Sequence, residues 1–429
     1  MSTDLDRGLK KTVDWVLIGC YILLVLTGCL NIYAATQSGD PGLIYDLGER
    51  SGKQLMWFGI SACVAALVLF VINPRLWEVI STPSYLLLLV LLVAVIFLSR
   101  DVKGSHSWFS LGPISFQPAE VSKITTSLML ASVLSRQNFR MSSRKDFITM
   151  VAVVAVPMMI IVAESETGSA LVYVGFLFAL YREGLSGWFI FVMGMAIFLF
   201  ILTMKTSPLV SCIVLAVIVA FLLLRSLHGT RLLREKRAAW RNAAIGLALG
   251  AAFAFSVQFV FDKILQPHQQ ARIEVLLGLK EDPAGAGYNV HQSMIAIGSG
   301  GFFGKGFLQG TQTAYGFVPE QATDFIFCTV GEEWGWLGCF FVIALFGILI
   351  FRIIQDADQS RESFTRIYGY CLASCLFMHL FINIGMTIGL MPVIGIPLPY
   401  ISYGGSSLLS FTLMLFIFIA LNRQENKYF

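Results

Sequence analysis

Eleven runs of apolar residues, each long enough to cross a lipid bilayer, partition this 429-residue chain. They cover residues 14–35, 54–72, 83–99, 148–163, 169–182, 187–204, 209–225, 243–262, 325–351, 367–390 and 404–421. A twelfth, 118–135, is weaker because Glu120 and Lys123 interrupt its start. A bilayer core accepts helices of about 20 apolar residues. It offers backbone N–H and C=O groups no partner, so each run must satisfy its own hydrogen bonds as a helix. The expectation is an all-α polytopic integral membrane protein with about twelve transmembrane helices in a single membrane domain, residues 1–429. Charged residues make up only 13% of the chain, and its mean hydropathy is +0.75. A soluble domain carries about twice that share of charge, so a soluble fold is excluded.

The basic residues orient the spans. With Arg7, Lys10 and Lys11 placed in the cytoplasm, twelve crossings bring two thirds of the 30 basic residues to the same side, including Arg136, Arg140, Arg144, Lys145, Arg352, Arg361, Arg366 and Arg423. The cluster Arg225, Arg231, Arg234, Lys236, Arg237 and Arg241 joins them only if the count is even. Both termini are then cytoplasmic. The cluster reads as a topology signal facing anionic membrane lipid, and no nucleic-acid partner is expected. The first run is too long for a cleaved signal peptide. The eight cysteines sit mostly inside apolar runs as small core residues. The five histidines form no ligand-spaced pair for zinc.

Polar residues then mark where chemistry could sit. Residues 263–324 form the longest connection, and a structureless stretch of that size usually carries function. It includes Gln292, Ser293 and a glycine-rich run from Ile297 to Gly306 with Lys305. Successive N–H groups with a lysine could hold a phosphate, but the run lacks P-loop spacing and a plain re-entrant turn is the better reading of it alone. The connection ends in Pro319-Glu320-Gln321-Ala322-Thr323-Asp324, directly before an apolar run. A carboxylate carried into hydrocarbon costs roughly 2.5–3.5 kcal/mol, so Asp324 must be solvated, paired or used. It is the first candidate for catalysis, with Glu320 and Thr323 beside it; the alternative is a helix N-cap. Glu120 and Lys123, one helical turn apart, could pair with each other. The stretch 391–407, with Pro392, Pro397, Pro399, Ser402 and Ser406, breaks the helix at membrane depth, which is tolerated only where backbone is buried or lines a cavity.

These motifs together resemble the SEDS family (shape, elongation, division and sporulation). The resemblance rests on Gln117-Pro118-Ala119-Glu120 with Lys123, the block Gly285–Gly306, Pro319-Glu320 with Thr323-Asp324-Phe325-Ile326-Phe327, Glu332-Glu333, and Gly395–Ser407. Val13-Asp14-Trp15 and Gly285-Ala286-Gly287-Tyr288 look more like the RodA branch than the FtsW branch. The resemblance implies a peptidoglycan glycosyltransferase in the bacterial cytoplasmic (inner) membrane that polymerises lipid II on the outer face and releases undecaprenyl pyrophosphate. It implies Asp324 as the essential carboxylate and Glu120, Lys123, Arg272, Lys305, Gln292, Ser293, Glu320, Thr323, Ser402 and Ser406 as substrate-binding positions. It also implies a divalent cation, Mg²⁺ or Mn²⁺, with ligands unassigned, and as partners a class B penicillin-binding protein and other proteins of the elongation complex. For each basic residue a positioning salt bridge is as natural as a phosphate contact.

Three features depart from the family's pattern. Ser107 precedes Trp108 where an arginine is usual. Glu164-Ser165-Glu166-Thr167-Gly168 stands where a Pro-Asp-Leu-Gly-Thr run follows a Gln or Glu. Ten spans are usual, so residues 205–242 look like an inserted helical hairpin with a basic cytoplasmic loop. Two other function classes suit the same composition: a flippase or transporter for lipid-linked precursors, and a non-catalytic scaffold. The chain has no evident inverted repeat, and Asp324 lies at a helix mouth instead of the bilayer midplane, which favours an enzyme.

Overall fold

The computed structural model describes residues 14–37, 43–99, 107–111, 114–229, 233–265, 267–279 and 287–425. Val13, His106, Arg231 and the Gly285-Ala286 pair lie outside them, as does the side chain of Arg272. Among the described residues, ten helices are long and apolar enough to cross a membrane. They are α1 (Trp15–Thr36), α2 (Arg50–Phe70), α3 (Arg75–Leu98), α5 (Arg144–Ala163), α8 (Trp188–Lys205), α9 (Pro208–Gly229), α10 (Leu233–Lys263), α14 (Ile326–Gln359), α15 (Ser363–Thr387) and α16 (Gly405–Glu425). The other two expected spans are shorter helices: α4 (Pro118–Leu134), and α6 (Thr167–Val172) running through a 3-10 turn into α7 (Phe176–Arg182).

By its internal contacts the chain separates into two compact units, residues 1–185 with 289–429, and residues 186–288. In the first unit α15 and α16 bury most of their surface. The helix α4 lies against α3, α5 and α15, which explains why its sequence signal is weak. A span sheltered by other helices need not be apolar all round, provided its polar atoms are satisfied. Tyr173 OH donates to Ser122 Oγ at 2.6 Å, Ser122 Oγ to the Ala119 carbonyl at 2.6 Å and Ser127 Oγ to the Lys123 carbonyl at 2.7 Å. Before α4, Phe109–Leu111 pairs antiparallel with Ile114–Phe116, the one departure from an all-helical chain among the described residues. In the second unit α8, α9 and α10 pack on one another. Thr203 Oγ1 donates to Ser211 Oγ at 2.9 Å between α8 and α9, and Gly250 of α10 leaves room for Leu215 of α9.

The connection 263–324 is not structureless. It contains α11 (Pro267–Leu276), α12 (Tyr288–Gly300) and the single turn α13 (Thr311–Ala314). The buried residues Ser293, Ala296 and Gly300 fall at helical spacing on one face of α12. Gly300 lets α12 lie directly on α14, since a Cβ there would meet the Gly331 carbonyl oxygen at 2.0 Å. The helix α14 itself breaks at Gly335 (φ 65°, ψ −159°), a conformation essentially confined to glycine. The freed backbone groups find partners in the segment after α12. Lys305 N and Gly306 N donate to the Glu332 and Glu333 carbonyls at 3.0 and 2.9 Å, while Trp336 N and Leu337 N donate to the Gly301 and Phe302 carbonyls at 2.9 and 3.2 Å. This exchange is how a broken helix is tolerated at membrane depth. The glycine-rich run thus serves as a clasp on α14.

Candidate active site

Several of the polar positions singled out in the sequence, Glu120, Glu320, Thr323, Asp324, Ser402 and Ser406, lie in the first unit at or just before the starts of α4, α14 and α16. Two irregular segments meet there: the turn 318–325 before α14 and the stretch 391–404 before α16. Ser402 joins them, donating its hydroxyl to the Thr323 carbonyl at 2.5 Å and accepting Leu398 N at 2.8 Å. Tyr403 N adds a bond to the Ala322 carbonyl at 2.9 Å. Gln321, buried, ties the turn to the end of α1 and to α13 through the Ala35 and Thr313 carbonyls at 2.7 and 2.9 Å. Thr323 Oγ1 donates to the carbonyl and Oε2 of Glu320, both at 3.2 Å, and Glu320 adopts a positive φ of 57°.

Asp324 is half-buried in this turn. The N-cap position of α14 falls on Phe325, one residue after Asp324. The Asp324 backbone carbonyl accepts from Asn383 Nδ2 at 2.8 Å, and the same amide donates to the Ile396 carbonyl at 2.7 Å. Its carboxylate faces Gly395, where a Cβ would lie 3.4 Å from Oδ2. Gly395 has a φ of 74°, so it supplies both the turn and the space beside the carboxylate.

The basic residues are placed very differently from one another. Lys123 is 1% exposed, with its ammonium 2.8 Å from Glu120 Oε1, 3.0 Å from His379 Nε2 and over the Phe411 ring. Lys305 donates to Glu332 Oε1 at 2.7 Å and to Thr311 Oγ1 at 2.8 Å. Glu332, fully buried, also accepts Gln312 N and Thr313 N at 2.8 Å each and Thr313 Oγ1 at 2.6 Å, so it holds α13 in place. Arg272 belongs to the second unit. Ser293 Oγ donates to the Thr387 carbonyl at 2.9 Å, tying α12 to α15, while Gln292 and Ser406 are half-buried.

Four residues that the sequence reading passed over belong to this site. Gln54 of α2, fully buried, bridges the Ser402 carbonyl and Gly404 N at 3.4 Å each. Arg50, exposed at the start of α2, lies over the Tyr403 ring at 5.9 Å. His379 and Asn383 stand one turn apart on α15. Their signal was present, because a buried polar residue inside an otherwise apolar span marks a functional position by default.

A family model described as the cell cycle proteins FtsW, RodA and SpoVE matches residues 14–237 and 182–427. The chain belongs to this family. It is 33% identical to the peptidoglycan glycosyltransferase MrdB of Escherichia coli K12 over 406 residues, covering 94% of this chain and 93% of that one. It is 28% identical to the peptidoglycan glycosyltransferase RodA of Treponema pallidum, covering 98% and 99%. Among solved structures it superposes on a chain of a peptidoglycan synthase complex coordinating polymerization and crosslinking, with a TM-score of 0.68, 25% identity and coverage of 97% and 99%. It also shares the fold of the Thermus thermophilus rod shape determining protein RodA, with a TM-score of 0.60, 23% identity and coverage of 97% and 98%.

The segments around Ser107 and Glu166 meet in space: Ser107 Oγ donates to Glu166 Oε1 at 2.5 Å. Glu164, two residues before, is buried; burial first, and the nearby Glu166 charge second, push its carboxyl up from 4.5 to about 8. Gly168, two residues after Glu166, packs on Ile394 and Ile396 of the 391–404 stretch. A carboxyl raised in the folded state binds its proton more tightly there than in the unfolded chain. Its contribution is therefore whole below 4.5 and is lost as pH rises through about 8. Glu164→Gln should accordingly raise the melting temperature in detergent at about pH 9 and change it little at about pH 5. An equal shift at both would contradict this assignment.

Proposed function

We infer that this chain is a peptidoglycan glycosyltransferase of the RodA type, polymerising lipid II into glycan strands at the outer face of the bacterial cytoplasmic membrane during wall elongation. The observation that carries the reading is Asp324. It is a half-buried carboxylate at a helix mouth, its backbone held by Asn383 and its side chain given space by Gly395, in a chain whose family relatives bear that activity in their names. Glu320 and Thr323 shape the turn around it. The 4-hydroxyl of one sugar attacks the anomeric carbon of a lipid-linked donor. The new glycosidic C–O bond forms as the bond to undecaprenyl diphosphate breaks, with inversion. The hydroxyl proton passes to Asp324 as general base, and the leaving diphosphate departs with the bonding electrons.

The departing charge needs cations. Lys123 and Lys305 already engage Glu120 and Glu332. Arg50 is exposed and lies over the Tyr403 ring of the 391–404 stretch, which supports assigning its guanidinium to the diphosphate. Arg50→Ala should lower kcat/KM for lipid II roughly tenfold, the worth of one charge-assisted contact. Recovery by Arg50→Lys would support the role of charge, and unchanged kinetics in Arg50→Ala would remove Arg50 from the site. Among the described residues no group of three or more His, Cys, Asp or Glu is arranged to hold a metal ion. A Mg²⁺ or Mn²⁺ arriving with the diphosphate would need only one or two protein carboxylates, and Glu320 and Asp324, both in the turn before α14, would be the ones to hold it. When bound, the cation would neutralise the leaving group. The partner implied is a class B penicillin-binding protein, by likeness to a complex that joins polymerization to crosslinking. The positive-inside pattern puts both termini in the cytoplasm and Asp324 on the far side.

The test is glycan-strand formation from lipid II by the purified protein with its partner. Strands are expected. Their absence, with lipid II instead carried across vesicle membranes, would replace the enzyme by a transporter.

A further inference from the structure

The Glu120–Lys123 pair is sealed inside the helices, yet it is connected to Asp324. Lys123 Nζ lies 3.0 Å from His379 Nε2, and His379 Nδ1 lies 3.0 Å from the Pro397 carbonyl. A carbonyl oxygen only accepts, so Nδ1 carries the ring proton and donates; Nε2 then accepts from the ammonium. The buried pair thereby selects the imidazole tautomer that grips Pro397. One turn further along the same face of α15, Asn383 donates to the carbonyls of both Ile396 and Asp324. His379 and Asn383 together hold three backbone carbonyls, at 324, 396 and 397, on either side of the Gly395 gap in which the carboxylate sits.

We propose that His379 is a positioning residue. With its tautomer set by Glu120 and Lys123, it fixes the 396–397 backbone so that Asn383 can hold Asp324 in line with the attacking hydroxyl. The ion pair acts through His379 and does not touch substrate. This rests on Asp324 serving as the general base. An enzyme whose base is displaced loses turnover and keeps its affinity for substrate, and displacements of about 1 Å are enough to matter a hundredfold.

The experiment compares His379→Leu and His379→Asn with wild type in steady-state polymerisation of lipid II, with melting temperatures measured alongside. Leucine removes both ring nitrogens. The Asn amide nitrogen takes the place of Nδ1 and retains the bond to Pro397. The expected result for His379→Leu is a fall in kcat of roughly tenfold or more with KM for lipid II within about twofold, and for His379→Asn a kcat within about threefold of wild type. A rise in KM at unchanged kcat would assign His379 or Lys123 to substrate contact and overturn the proposal. So would equal losses of kcat in the two variants when His379→Asn melts like wild type, or unaltered kinetics in a folded His379→Leu. Asp324→Asn in the same assay separates the two claims. Polymer from that variant defeats the base reading, whereas loss of polymer there with wild-type kinetics in His379→Leu defeats only the positioning role.

Discussion

Asp324→Asn should reduce strand formation from lipid II by about 10²–10⁴-fold, the range that a positioned general base supplies. The substitution changes little else. Asn has nearly the same volume, and the variant keeps the backbone carbonyl that accepts from Asn383. Phe325 occupies the cap position of α14. Melting temperature and binding of the penicillin-binding protein are therefore expected to match wild type. Polymer yield is read on gels after timed reaction with lipid II, and parallel samples lack divalent cation. Wild-type yield from Asp324→Asn would end the general-base reading. Loss of yield together with loss of folding would show that the carboxylate is structural.

Lys123→Met should destabilise the protein by about 3–5 kcal/mol, because it strands the Glu120 carboxylate in a site that is 3% exposed. The companion variant Glu120→Gln/Lys123→Met removes both charges and should recover most of that loss, since replacing a whole buried ion pair is often neutral. A Lys123 that served only to bind diphosphate would behave otherwise. The single variant would then melt like wild type and raise KM for lipid II. Comparing the melting temperatures of wild type, single and double variants in one detergent decides between the two.

Much of the architecture was legible because bilayer thickness and backbone hydrogen bonding leave a long apolar run one option. The ten long helices answer to ten of the expected runs, within a few residues at most ends. The failures have one cause, which is that composition does not reveal what a segment packs against. The helix α4 reads as a weak span because its polar residues are satisfied by Tyr173, Glu120 and its own carbonyls. The connection 263–324 reads as structureless because its glycines, useful for turns, also allow α12 and the segment after it to lie directly on α14. At the site, Asp324, Glu320 and Thr323 stood out as charge and polarity at a helix mouth. Asn383 and His379 did not, although they hold the segments in register.

The sequence by itself determined that this chain spans a membrane, which residues run as helices, and which carboxylate stands at a helix mouth, because those follow from local hydropathy and charge. Only the tertiary structure decided which polar groups meet: that Lys123 turns inward to Glu120 and His379, that Lys305 serves Glu332, that Ser402 joins two segments, and that Ser107 donates to Glu166. Those partnerships join residues as many as 256 positions apart. A hydrogen bond acts only over about 3 Å, so its partners are chosen by packing and not by proximity along the chain.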